Sequence, residues 1–163
     1  MRHWAALLLL LLGACAGSAA PPESASENRH ELYYYPRITS EESYQARARV
    51  LPDSDRERRL GFVALMLQQQ AERAYAPPFV LFAKGEDSER MIIVGLDDRF
   101  STLYRARAYM AGLTALARQT ELFRDFEVTE LFTFYDLARL MGFREIVLSD
   151  GRAWAHRVIL AGE

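Results

Sequence analysis

His156 and Glu145 are two residues of this 163-residue chain whose types and spacing could do acid–base chemistry. An Asp150-Gly151 turn predicts a two-residue hairpin that sets Glu145 opposite His156 and Val147 opposite Trp154. In that register Glu145 could orient the imidazole as a general base. A structural or exposed strand histidine is the competing expectation. Arg105 and Arg107 flank Tyr104 and could hold an anionic ligand, or could sit on a solvated helix face. A pocket lined by Arg105, Arg107 or His156 would suit a small anionic molecule.

Other chemistries lack their residues. The acid pairs Glu86-Asp87 and Asp97-Asp98 do not have the spacing of a calcium loop. One cysteine and three histidines do not make a zinc set, so neither a metal site nor a cofactor is expected. Serine elbows of the form G-x-S-x-G and the H-E-x-x-H zinc motif are absent. Phosphate-cradling loops need clustered glycines. Here Gly61, Gly85, Gly95, Gly112, Gly142, Gly151 and Gly162 are all at least nine residues apart. A net charge of −2 gives no basic field for nucleic acid. Nineteen arginines stand against the single Lys84, but acidic neighbours balance the local Arg56, Arg58 and Arg59 cluster.

The N-terminus reads as an export signal. Arg2 supplies the positive start, Ala5 to Leu12 an apolar core, and small residues follow. The core is well short of the roughly 20 residues that span a bilayer. Leu12-Gly13-Ala14-Cys15 resembles a bacterial lipobox. That resemblance implies lipid on Cys15, a signal over residues 1–14, and multi-chain membrane anchoring. Ala16, in place of Asp, implies outer-membrane sorting. Ordinary cleavage of residues 1–19 is the alternative, which would leave a free periplasmic or secreted protein. Residues 15–31 form a flexible tether rich in Ala, Ser, Pro and Glu, with a reach of roughly 20–25 Å. One domain is expected over residues 32–163. It opens on Leu32-Tyr33-Tyr34-Tyr35-Pro36, which serves either as a strap over the core or as an aromatic partner surface.

The elements follow from caps and periodicity. Thr39-Ser40-Glu41-Glu42 predicts a helix reaching about Val50. Ser54-Asp55-Arg56-Glu57 predicts a capping box opening a helix over about 55–74, with Leu60, Val63, Leu67 and Ala71 inward and Phe62, Leu65 and Met66 widening the stripe. Phe79–Lys84 and Arg90–Gly95 predict a hairpin. A helix follows over about 102–118, with Leu103, Ala106, Met110, Leu113 and Ala117 inward. Residues 119–128 read as a loop. Thr129 opens another helix ending at Gly142, which suits a left-handed cap. Residues 143–149 and 152–160 form a second hairpin. The expected fold is α+β: two hairpins in one antiparallel four-stranded sheet, packed by about four helices.

From Tyr33-Tyr34-Tyr35-Pro36 through FTFYDLARLMGF and EIVLSDGR, the chain resembles small exported bacterial proteins that carry the label molybdopterin-guanine dinucleotide biosynthesis protein A. The glycine-rich LAGGxSxRMGxDK loop of that nucleotidyltransferase has no counterpart here, so no catalytic residue carries over. The order of helices and hairpins is also similar to the enhanced-serine-sensitivity protein B domain, a likeness of architecture alone. The leading expectation is therefore a noncatalytic envelope module. It would bind another protein or surface component through Tyr33, Tyr34 and Tyr35 or a sheet edge. A nucleotide- or pterin-binding protein or enzyme is the alternative.

Overall fold

The computed structural model describes residues 37–96, 100–119 and 132–162. Alternation along the strands sends one row of side chains to each face of a single sheet. Its strands are β1 (Ser40–Gln45), β2 (Phe79–Lys84), β3 (Arg90–Gly95), β4 (Glu145–Ser149) and β5 (Ala155–Ala161). The spatial order is β1-β5-β4-β3-β2. The two hairpins, β2–β3 and β4–β5, are antiparallel. They meet through a parallel β3–β4 pair, and β1 joins parallel to β5. The expected four-stranded antiparallel sheet is thus corrected to a mixed sheet of five.

Three helices are present among the described residues, not four: α1 (Arg56–Ala71), α2 (Leu103–Ala117) and α3 (Phe134–Leu140). The fourth was expected at residues 39–50, where the chain instead forms β1. Ser40 to Gln45 run alongside Ser-free β5 in full register, from Ser40 opposite His156 to Gln45 opposite Ala161. A ladder of backbone bonds across that pair outweighs the local cap signal.

All three helices contribute to one core with one face of the sheet. Phe62 and Met66 of α1, Met110 and Leu113 of α2, and Phe134 and Leu137 of α3 meet Leu81, Ile93, Ile146, Leu148 and Val158 there. Burying each such side chain stabilises by about 1.5–3 kcal/mol. The buried stripe of α1 is Arg59, Phe62, Val63, Met66 and Gln70. It is rotated from the expected stripe, leaving Leu60, Leu65 and Ala71 exposed. The α2 stripe stands as expected apart from Leu103, which is half-buried, and Leu116, which joins it.

The helix ends have identifiable caps. Asp55, not Ser54, caps α1 by accepting from the Arg58 amide. Ser54 Oγ instead donates to the Leu140 carbonyl at 3.2 Å. Thr133 and Asp136 form a reciprocal capping box on α3, which starts later than the expected Thr129. That residue and the 120–131 stretch lie outside the described residues. At the other end of α3, Gly142 has φ +86°. The Gly142 amide donates to Arg139 O and the Phe143 amide to Ala138 O, the paired bonds of a Schellman stop.

The β4–β5 connection corrects the expected two-residue turn. It is a five-residue loop, 150–154, organised by Asp150. One carboxylate oxygen accepts from the amides of Arg152, Ala153 and Trp154. Burial pushes this carboxyl up, but those backbone donors outweigh it and hold Asp150 below its usual value. The longer loop moves the register: Glu145 faces Ile159, and His156 faces Leu148.

Candidate functional site

Period two along β1 places Ser40, Glu42 and Tyr44 on the helix-covered side and Glu41, Ser43 and Gln45 on the other. β5 obeys the same rule, so His156 points the same way as Val158 and Leu160, which belong to the main core. The register then brings Ser40 and His156 together. Ser40 Oγ lies 2.8 Å from His156 Nδ1, and which atom donates depends on the tautomer. On the far side of the ring, His156 Nε2 is 3.3 Å from Glu42 Oε1, off the line of a good hydrogen bond. The other Glu42 oxygen accepts from Arg107, which reaches down from α2. A chain of four groups results: hydroxyl, imidazole, carboxylate, guanidinium.

Exposure differs sharply along that chain. His156 is 1% exposed, whereas Ser40 is exposed and Glu42 intermediate. The Trp154 ring lies nearly parallel to His156, with centroids 6.1 Å apart. Burial pushes the Glu42 carboxyl up, but hydrogen bonding and charge from Arg107 and His156 outweigh this and hold it below its usual value.

A second polar cluster adjoins the first. Tyr44 and Tyr135 rings pack with centroids 4.8 Å apart. The Tyr44 hydroxyl donates to Asp136 Oδ2 at 3.1 Å and lies 3.0 Å from Thr133 Oγ1. Asp136 is fully buried and also accepts from the Arg47 amide at 2.7 Å. Burial raises the phenol pKa of Tyr135, and the Glu42 charge adds to that. Tyr44 is raised as well, first by burial and then by the Asp136 charge. β1 is therefore held by polar contacts from both β5 and α3.

The structure separates the expected Glu145–His156 couple. Glu145 points to the opposite face of the sheet, where it pairs with Arg90 and lies 3.9 Å from Arg157. Arg157 in turn pairs with Glu41, so alternating charges run across four strands. Glu42 takes the position beside His156 that was expected of Glu145. Arg107 joins this site; Arg105 does not. Two residues of helix turn them about 200° apart, and Arg105 Nη1 instead reaches Ser101 Oγ at 3.3 Å. Cys15, Tyr33, Tyr34, Tyr35, Asp97 and Asp98 lie outside the described residues. Among the described residues, no group of three or more His, Cys, Asp and Glu side chains is placed to hold a metal ion.

Ser40 and Glu42 escape sequence reasoning because SEESYQ has no apolar alternation. Tyr44 alone marks the inward face, and the hydroxyl-plus-acid pattern imitates a helix start. A weak strand signal precedes them in the β-branched pair Ile38-Thr39. The chain matches no family model, no curated protein and no solved structure.

Proposed function

We propose that this is an exported protein of the bacterial cell envelope, anchored through lipid on Cys15, whose folded domain acts as a binding module just off the membrane. The N-terminal order supports the anchor: a basic start, a short apolar core, Leu12-Gly13-Ala14-Cys15, then a polar tether. One geometric observation carries the binding reading. The sheet ends on β1 and β2, whose outer edges pair with no further strand among the described residues. Such an edge is a template for adding an extended segment of a partner. A protein or surface component of the envelope would engage that edge or Tyr33, Tyr34 and Tyr35.

Two measurements test this. Intact mass of the protein from fractionated native cells should give a lipid-modified chain beginning at Cys15, in the outer-membrane fraction. An unlipidated chain starting near Ala20 would remove the anchor, and an uncleaved cytoplasmic chain would overturn export. Replacing Tyr33, Tyr34 and Tyr35 with serine should abolish cross-linking to envelope components in cells while leaving thermal unfolding unchanged. Unchanged cross-linking would overturn the tyrosines as a contact surface.

A further inference from the structure

We propose that Ser40 is an activated nucleophile that accepts acyl groups from esters, with His156 as its general base and Glu42 as the carboxylate that charge-balances the ring. This goes beyond the binding reading and does not rest on it.

Three observations converge. The Ser40 hydroxyl is within 2.8 Å of the ring nitrogen that would take its proton. The opposite ring nitrogen faces a carboxylate at 3.3 Å, itself engaged by Arg107. A nucleophile within hydrogen-bond reach of a base, with a carboxylate beside that base, is an arrangement that nucleophilic catalysis uses, whatever the fold. The distribution of exposure is the third observation. Ser40 is an exposed residue, while the base behind it is shielded. Shielding keeps water from competing for the imidazole and strengthens its interaction with Glu42.

The chemistry balances without a metal or cofactor. Ser40 Oγ attacks the ester carbonyl carbon while its proton passes to His156 Nδ1. The carbon–oxygen bond to the alcohol breaks, and the departing alcohol takes that proton. Ser40 is left esterified. Water then attacks the acyl carbon, giving one proton to His156. The carboxylic acid departs and the proton returns to Ser40 Oγ. The net reaction is ester plus water to acid plus alcohol. Glu42 stays ionised throughout and offsets the imidazolium that forms in each half.

The test uses the full mature protein, extracted from membranes in detergent, and a fluorophosphonate probe with peptide mapping by mass spectrometry. Ser43 is the internal control, exposed on the same strand but facing the other way. The expected result is an adduct on Ser40 formed about 100-fold faster than on Ser43, within the range of general-base assistance. His156→Gln should abolish the difference, and Glu42→Gln should cut it about tenfold, both read as the Ser40-to-Ser43 ratio. A fold-independent check covers the chance that His156→Gln loosens β1. In Ser40→Cys, the thiol should react with iodoacetamide faster than the thiol of Ser43→Cys, and adding Glu42→Gln should narrow that gap. Equal rates at positions 40 and 43, for either reagent, would overturn the proposal. Loss of the lipid on Cys15 would not affect the comparison, so this inference and the envelope reading can fail separately.

Discussion

Gly95 lies so close to the ring of Phe100 that a Cβ atom there would fall 2.1 Å from Phe100 Cδ2. Phe100 is fully buried, and its ring packs on Tyr109 with centroids 4.7 Å apart. A shift of the Phe100 ring away from position 95 would disturb its contact with Tyr109 of α2. Gly95→Ala should therefore destabilise the domain by about 1–3 kcal/mol through overpacking. Urea unfolding followed by circular dichroism measures it. An unchanged midpoint would mean that Phe100 repacks freely.

Gly142 is constrained by backbone conformation and by crowding. Its φ is +86°, and an added Cβ would meet Arg59 Nη1 at 2.7 Å and Ser54 Cβ at 2.9 Å. Arg59 itself is buried and donates to the carbonyls of Asp87, Ser54 and Gly142. Gly142→Ala should cost at least about 1–2 kcal/mol for the left-handed backbone alone. Arg59→Met should cost about 1–3 kcal/mol by leaving carbonyls without donors. The pair should be non-additive, because both act on one contact. A double-mutant cycle that sums to the single effects would refute that coupling.

Asp136 holds β1 to α3. It accepts from the Thr133 amide at 2.8 Å, the Arg47 amide at 2.7 Å and the Tyr44 hydroxyl at 3.1 Å. Asp136→Ala strands all three donors around a buried site, and a loss of roughly 3 kcal/mol or more is expected. Amide exchange should accelerate most in β1 and around Arg47. Uniform acceleration across the sheet would show that β1 is not held independently.

Acid should weaken the domain partly through Glu42. Its folded pKa lies below the unfolded value, which for a glutamate is about 4.3. Stability from this group is therefore fully present above that unfolded value and is lost as pH falls through the folded value. Glu42→Gln should be less stable than the parent at neutral pH. The difference should shrink below about pH 4. Asp150→Asn should behave in the same sense, through its three backbone donors. Parallel stability curves for parent and variant down to pH 2 would contradict the assignment.

What the residues encode locally is legible without the fold. The β2–β3 hairpin, the span of α2, most of its buried stripe and the left-handed stop at Gly142 follow from residues close in sequence. These depend on periodicity, caps and backbone sterics, which the chain carries with it. Partner choice is different. Thr39-Ser40-Glu41-Glu42 has the local chemistry of a helix start, yet Ser40 becomes a strand residue because His156, 116 positions away, lies on a strand that it can join. Asp150-Gly151 signals a tight turn, but the Asp150 carboxylate gathers three later amides instead and opens the loop. That change breaks the expected Glu145–His156 pairing and places the two side chains on opposite faces. Tertiary structure alone supplies Glu42 to His156 and Arg107 to Glu42. Their elements adjoin only after β1 pairs with β5 and α2 packs over the sheet, and no local rule specifies which distant groups such packing brings together.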